Sequence, residues 1–196
     1  MKILVVSDVK STCYFDCYTP GKLKEFDLIL SCGDLSKEYL EFLVTMARCP
    51  LYYVPGNHDE SFDLHPPEGC ESIDGRLVEY QGVRILGLGG SYHYRPGSQQ
   101  YTERQMAARI RRLGWKIRRH KGFDILLTHA PARGINDLDT PAHRGFACFN
   151  DLIDRWQPKY FLHGHVHLNY SMNIPRKSER GRTRIVNAYE YTVIEI

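Results

Sequence analysis

The sequence lacks the features that mark membrane, secreted and zinc-finger proteins. Its apolar runs are far shorter than the roughly 20 residues of a membrane helix. The run at residues 3–6 is also too short for a signal peptide, and Ser7 and Asp8 follow it in place of a cleavage site. The six cysteines show no zinc-finger spacing, which favours reduced thiols. We therefore expect a single cytoplasmic domain over residues 1–196, with no membrane partner.

The charges are nearly balanced overall, but one segment is strongly basic. The net charge is +3, whereas residues 104–121 contain eight lysines or arginines and no acidic residue. Within this segment Met106, Ile110, Leu113 and Ile117 recur at helical spacing, which predicts an amphipathic helix with a basic outer face. A solvated face is the simpler interpretation, and contact with a phosphate backbone is the alternative.

Short apolar runs alternate with helical patterns along the chain. The runs predict buried strands at residues 3–6, 28–31, 51–54, 83–88, 125–128 and 160–162. Residues 36–48, with Ser36 as N-cap, and residues 149–156 predict helices. The tail, residues 168–196, predicts antiparallel strands, with a turn at Ser178-Glu179-Arg180-Gly181 and another reversal between residues 187–189 and 193–196. This order implies one mixed sheet or two packed sheets with helices outside.

Five polar motifs follow apolar runs, where buried strands are expected to end. They are Ser7-Asp8-Val9-Lys10, Ser31-Cys32-Gly33-Asp34-Leu35, Gly56-Asn57-His58-Asp59, Leu127-Thr128-His129-Ala130-Pro131 and Gly164-His165-Val166-His167. Ligands bind at the carboxyl ends of strands in open α/β sheets, and Asp, Asn and His are metal ligands. A single such residue is usually a helix cap or a loop residue. Five motifs in succession predict a multi-metal site.

In this order the motifs resemble the calcineurin-like metallophosphoesterase superfamily. Its signature is Asp-x-His, Gly-Asp, Gly-Asn-His-Asp or Glu, a His after a strand, and Gly-His-x-His, and the resemblance spans Asp8 to His167. The stretch from Leu126 to Gly164 looks most like the compact branch that contains the MPPED-type (metallophosphoesterase domain) proteins. The resemblance implies an α/β fold in which two packed mixed β-sheets are flanked by helices.

The resemblance also implies two divalent metal ions, which we expect to be Mn, Fe or Zn. Asp34 would bridge both ions, with Asn57, His129 and His165 completing one site, and Asp8 and His167 the other. The implied ligands are therefore Asp8, Asp34, Asn57, His129, His165 and His167.

The resemblance gives His58 and Asp59 roles in catalysis instead of metal binding. His58 would stabilise the phosphoryl oxygens or protonate the leaving oxygen, and Asp59 would orient its imidazole. A helix cap or a loop salt bridge is the alternative role for Asp59.

Lys10 departs from the signature, because it stands where Asp-x-His has its histidine. A protonated ammonium has no lone pair and cannot bind a cation. Three interpretations follow. The second site keeps Asp8, Asp34 and His167 as ligands, it stays empty while Lys10 faces the phosphate, or Lys10 points to solvent. The replacement leaves open whether one ion or two bind firmly.

Two loops outside the signature are candidates for the substrate pocket. Residues 89–97 are aromatic and basic, and residues 134–149 contain Asn136, His143 and Arg144. We expect a small phosphoester partner, such as a cyclic nucleotide or another small phosphodiester, hydrolysed by a metal-activated water. A nuclease that uses the basic helix to bind nucleic acid is one alternative, and a weakly active or inactive scaffold with this fold is the other.

Overall fold

Two mixed β-sheets pack face to face in the computed structural model, which describes residues 1–170 and 174–196. The first sheet contains β1 (Lys2–Ser7), β2 (Leu28–Ser31), β3 (Leu51–Tyr53), β4 (Glu71–Ser72) and β13 (Glu190–Glu195). Their order is β13-β1-β2-β3-β4. All neighbours are parallel except β13, which runs antiparallel to β1.

The second sheet is built around four parallel strands. Its strands are β5 (Arg76–Tyr80), β6 (Val83–Leu88), β9 (Ile125–Thr128), β10 (Tyr160–His163), β11 (Lys177–Arg180) and β12 (Thr183–Asn187). The order is β11-β12-β10-β9-β6-β5, with the two edge strands antiparallel to their neighbours. A separate two-stranded ladder joins β7 (Ser91–Tyr92) to β8 (Gln100–Tyr101). Two mixed sheets confirm the predicted fold class.

Three α-helices cover the outer faces of the sheets. They are α1 (Lys37–Ala47), α2 (Glu103–Arg119) and α3 (Ala147–Trp156), and single helical turns occur at Thr12–Asp16, Lys22–Glu25 and Glu60–Asp63. Ser36 caps α1 through a 3.3 Å bond to the Tyr39 amide, as predicted. Thr102 and Gln105 form a capping box at the start of α2. The three predicted helices therefore all form, with ends shifted by one or two residues.

The strands are apolar on both faces because both faces are covered. In β1, Ile3 and Val5 pack in the layer between the sheets, whereas Leu4 and Val6 pack with α1. Leu86 and Leu126 of the second sheet pack against α2 and α3. Each apolar run is thus continuous instead of alternating, and each ends in a loop at the same edge of the molecule.

The tail differs from its predicted arrangement in two places. Residues 178–180 of the predicted turn belong to β11, so the turn begins only at Gly181. The φ of Gly181 is +60°, which suits glycine. The strands β12 and β13 do not form the predicted antiparallel reversal, because they lie in different sheets and the chain crosses between the sheets at Ala188 and Tyr189. Residues 171–173 of the predicted tail lie outside the described residues.

Candidate metal centre

The polar motifs converge because their strands end at one edge of the two sheets. Asp8 follows β1, Asp34 follows β2, His129 follows β9 and His165 follows β10. Asp8, Asp34 and His165 adopt left-handed backbone conformations, with φ of 67°, 56° and 69°. Such a conformation costs a non-glycine residue about 1–2 kcal/mol. Three sharp, strained turns therefore aim these side chains into the edge of the sheets.

Glycines in the motifs allow the loops to come close together. A Cβ at Gly33 would overlap the backbone of Gly56, and one at Gly164 would overlap the Ser7 hydroxyl. These two glycines are therefore required by the approach of a neighbouring loop.

His129 is the buried centre of the first ligand cluster. Its Nδ1 donates to the Cys32 carbonyl at 2.8 Å, because a carbonyl can only accept. Its Nε2 then lies 3.1 Å from Asn57 Oδ1 and 3.3 Å from Asp34 Oδ2. A hydrogen bond from ring nitrogen to backbone carbonyl is the usual support of a metal-binding histidine. The Nε2 side of the ring therefore faces two oxygen ligands.

His165 completes this cluster from the loop after β10, the strand that pairs in parallel with β9. Its Nε2 donates to the Ala142 carbonyl at 2.7 Å, which leaves Nδ1 free to bind a cation. Ligand atoms of Asp34, His129 and His165 all lie within 4.8 Å of one another. Together with Asn57, these residues have the donor types and spacing that a divalent transition metal needs.

The protonation states of the cluster follow from burial and charge. Burial lowers the pKa of the His129 imidazole, but the Asp34 carboxylate against it outweighs burial and raises this pKa to about 9. Burial raises the pKa of Asp34, but His129 outweighs it and holds this pKa well below its usual range. Burial, together with the charge of His129, lowers the pKa of His165 to about 3. A cation at this site would therefore take the place of the proton on His129 Nε2, while Nδ1–H stays bonded to the Cys32 carbonyl.

Asp8 and His167 form the second cluster next to the first. Asp8 Oδ1 accepts a hydrogen bond from the His165 amide at 2.9 Å and lies 3.9 Å from His167 Nε2. Its Oδ2 is buried and makes no hydrogen bond to any residue within 1–170 and 174–196. Burial raises the pKa of this carboxyl. A buried carboxylate oxygen without a partner is costly, so the residues of this cluster fit a second divalent ion.

Lys10 points away from both clusters. Its Nζ binds Asp16 Oδ1 at 2.8 Å and lies 4.8 Å from the centre of the Phe15 ring, and its side chain is 55% exposed. Of the three interpretations of Lys10, the structure shows the one in which it faces solvent. Asp8, Asp34 and His167 are then the three candidate protein ligands for a second ion.

Restoring the missing histidine is expected to strengthen the second site. The Lys10→His variant adds a ligand, so we expect the second Mn²⁺ to bind at least about tenfold more tightly, a gain of about 1.4 kcal/mol. Metal content per chain and calorimetric titration with Mn²⁺ measure this change. Lys10→Gln is the matched control, because it removes the positive charge without adding a ligand. An equal gain in both variants would show that charge repulsion, not a missing ligand, weakens the site.

His58 lies exposed beside the first cluster and is held through its backbone. Its amide donates to Asp34 Oδ1 at 2.8 Å, and its ring Nδ1 lies 3.4 Å from Arg95 Nη2. A guanidinium can only donate, so Nδ1 accepts and the ring proton resides on Nε2. Arg95, not a carboxylate, therefore contacts the His58 imidazole.

Asp59 does not have the role expected from the sequence. Its carboxylate accepts from the backbone amides of Asp34 at 2.7 Å and Gly56 at 2.8 Å instead of orienting His58 or capping a helix. Burial, reinforced by the Asp34 charge, raises the pKa of Asp59 to about 6. Asp59 thus ties the loop after β2 to the loop after β3, which fixes Asp34 and Asn57 relative to each other.

A cleft of about 320 Å³ opens over both clusters. The described residues that line it are Asp8, Asp34, Asn57, His58, Tyr94, Ala142, His143, His165, His167 and Tyr170. Tyr94 and His143 come from the two loops expected to form its walls. The structure thus gathers all six residues that the resemblance implied as ligands at this cleft, with His129 directly beneath it.

Two residues of the predicted walls lie elsewhere, and one wall residue was missed. Asn136 donates to His163 at 3.2 Å, and the Arg144 guanidinium lies 5.8 Å from the centre of the Tyr92 ring. Tyr170, which lies outside both predicted wall loops, stacks on His167 with ring centres 4.7 Å apart. A turn places it there, since its amide donates to the His167 carbonyl. An aromatic residue three positions after Gly-His-x-His was the signal for it.

Two adjacent clusters of carboxylate, amide and imidazole side chains below an open cleft are typical of a class of enzyme, the metal-dependent phosphoesterases. The comparisons with known proteins give the family. The sequence profile of the calcineurin-like phosphoesterases matches residues 1–169, so the chain belongs to that family. In the described part of the chain, no helix is long and apolar enough to cross a membrane.

Relatives occur in animals and bacteria. A UPF0046 protein of Caenorhabditis elegans is 26% identical over 96% of this chain and 69% of its own length. An uncharacterized protein of Haemophilus influenzae is 26% identical over 81% of this chain and 80% of its own. The crystal structure of TT1561 of Thermus thermophilus, at 16% sequence identity, has a TM-score of 0.61 over 96% of this chain and 89% of that one. This last likeness concerns the fold alone.

Proposed function

We propose that this protein hydrolyses small phosphodiesters, such as cyclic nucleotides, with two divalent ions of Mn, Fe or Zn. The observation that carries the proposal is the aromatic chemistry of the cleft wall beside the ligand clusters. Tyr94, His143 and Tyr170 form this wall, and no lysine or arginine lines the cleft among the residues that the structure describes.

An aromatic wall of this kind suits a diester better than a monoester. A phosphodiester carries one negative charge and two organic groups, and each organic group gains from an apolar or aromatic surface. A phosphomonoester carries more charge and only one such group. The cleft volume, about 320 Å³, also suits a small molecule. Tyr94 is held in place, because its hydroxyl accepts from Asn57 Nδ2 at 3.4 Å.

The residues of the chain divide the work of hydrolysis. Divalent ions, when bound, neutralise phosphate charge and lower the pKa of a water molecule. Asp34, which lies against His129, would be the carboxylate that both ions share, as the family resemblance implies. His58 Nε2–H faces away from Arg95 and is the donor available to a phosphoryl or leaving oxygen. Arg95 holds this tautomer from outside the cleft lining.

A parallel assay of two chromogenic substrates tests the proposal. Bis(p-nitrophenyl) phosphate and p-nitrophenyl phosphate are compared in Mn²⁺, Ni²⁺, Zn²⁺ and Mg²⁺, and we expect kcat/KM to be at least about tenfold higher for the diester. The same preparation of the Asp34→Asn variant controls for contaminating phosphatases.

Three outcomes would contradict the proposal. A preference for the monoester would make the protein a phosphomonoesterase. Faster cleavage of oligonucleotides than of small diesters would favour the nuclease alternative. Turnover of neither substrate by metal-loaded protein would favour the scaffold alternative.

The cysteines support a location in the cytoplasm, which we also propose. Cys32 and Cys148 are free thiols buried in the core, where they pack as small apolar side chains. Reduced thiols of this kind are typical of a reducing compartment. Fractionation of cells that express the protein measures its location, and recovery from an exported fraction would contradict this proposal.

A further inference from the structure

A second concave surface lies between α2 and α3, and its described lining residues are all different from those of the cleft. This interhelical groove has a volume of about 270 Å³. It is lined by Ala107, Ile110, Arg111, Gly114, Ile117, Arg118, Cys148, Asp151, Leu152, Arg155 and Trp156. Its floor is therefore largely apolar, and its charged residues stand at the rim.

Gly114 gives the groove its depth. It lies inside α2, where glycine costs about 1 kcal/mol relative to alanine. A Cβ added there would meet Arg118 Nη1 at 3.9 Å, an ordinary contact, so packing within the protein does not require a glycine. The missing side chain leaves the helix surface open to an occupant. A helix-interior glycine that packing does not explain usually has another role.

The rim of the groove is strongly basic. Arg111, Arg118 and Arg155 stand around it, and Asp151 is the only acidic residue among its described lining residues. Trp115, between Arg111 and Arg118 on the same helix, is 68% exposed, and the Arg119 guanidinium lies 5.3 Å from the centre of its ring. Tryptophan and arginine are the residue types that most often dominate protein interfaces.

We propose that the interhelical groove binds an acidic segment of a partner protein, whose apolar side chains enter the groove while its carboxylates pair with the arginines. The combination of shape and charge selects this occupant. An apolar floor offers nothing to a phosphate backbone, which needs only the positive rim. The apolar stripe of α2 packs into the core through Met106 and Ile117, so this helix cannot insert into a lipid surface. An acidic peptide with apolar anchors uses both the floor and the rim.

A synthetic peptide serves as the probe for this groove. It consists of glutamate, aspartate and alanine with two leucines one helical turn apart, and a control peptide has serine in place of both leucines. The only two tryptophans of the chain, Trp115 and Trp156, lie beside and within the groove, so their fluorescence reports binding directly. We expect the leucine peptide to bind with a Kd of about 10–100 μM and the serine peptide at least about tenfold more weakly.

Substitutions at Gly114 separate binding from folding. Gly114→Leu fills the groove and is expected to weaken binding of the leucine peptide at least about tenfold. Gly114→Ala is the matched control, which adds helix propensity and keeps most of the space, so its binding should change less than about threefold. Arg118→Glu is expected to weaken binding as well. We expect the circular dichroism spectrum and the diester turnover of each variant to match those of the wild type, which would show that the variants are folded.

Several results would overturn the proposal. One is equal binding of the two peptides or no binding by the wild type, and another is binding that Gly114→Leu leaves unchanged. The wild type could instead bind a DNA or RNA oligonucleotide, or phosphatidylserine vesicles, and no peptide. If Gly114→Leu abolished that binding, the groove would be a site for nucleic acid or for lipid. Self-association that Gly114→Leu abolishes, measured by sedimentation, would make the occupant a second copy of this chain.

Discussion

The Asp34→Asn variant is expected to lose phosphoester hydrolysis by at least about a thousandfold, a loss of about 4 kcal/mol in transition-state stabilisation. Asp34 lies against His129 in the first cluster, and the family resemblance makes it the carboxylate that both ions would share. An amide keeps the shape of the side chain but removes its charge and its capacity to bind two cations. Both metal sites should weaken together.

Metal content and thermal unfolding measure this effect alongside activity. Wild-type protein should bind Mn²⁺ and gain stability, by about 2.7 kcal/mol when free metal is a hundred times its Kd, whereas the variant should gain little. Asp139→Asn is the matched control, since Asp139 is a carboxylate outside the cleft lining. If Asp34→Asn kept its full metal content and full activity, Asp34 would not be a metal ligand.

The His58→Gln variant is expected to lose about 10²- to 10⁴-fold in kcat while it retains its metal. The His58 ring lies at the mouth of the cleft, and the cluster of Asp34, His129 and His165 does not include it. Glutamine can still donate a hydrogen bond, but it cannot transfer a proton to a leaving oxygen. The loss should therefore be larger for substrates with poor leaving groups than for p-nitrophenyl esters.

Comparison of leaving groups tests the role of His58 directly. His65→Gln is the control, because His65 is an exposed histidine a few residues further along the chain and outside the cleft lining. An equal loss for good and poor leaving groups would make His58 a stabiliser of the phosphoryl oxygens. Loss of metal in His58→Gln would instead place His58 in the metal centre.

The sequence predicts the parts of the fold that depend on local patterns. The run at residues 3–6 is apolar throughout because helix α1 covers one face of β1 and the second sheet covers the other. Ser36 marks the start of α1 because a cap acts within a few residues. The separation of β12 and β13 into two sheets could not be predicted in this way. It depends on pairing between β1 and β13, which lie at opposite ends of the chain.

The candidate site shows the same division between local and distant determinants. The positions of Asp8, Asp34 and His165 follow from motifs at strand ends, and the structure brings all three together. The partner of Asp59 depends on a close approach of two loops, which Gly33 and Gly56 allow and which no local pattern encodes. The direction of the Lys10 side chain could not be predicted locally either, because the helical turn Thr12–Asp16 is what brings its partner Asp16 within reach.

The left-handed turns at Asp8, Asp34 and His165 affect which substitutions the chain can accept during evolution. These backbone conformations also accept glycine and asparagine, so replacing Asp8, Asp34 or His165 by either residue adds no backbone strain. Loss of the metal and loss of the fold are therefore separable events. Substitutions that silence the enzyme can leave a stable protein behind, and any surface that binds a partner would survive them. The same architecture is thus well suited to give rise to descendants that bind without catalysing.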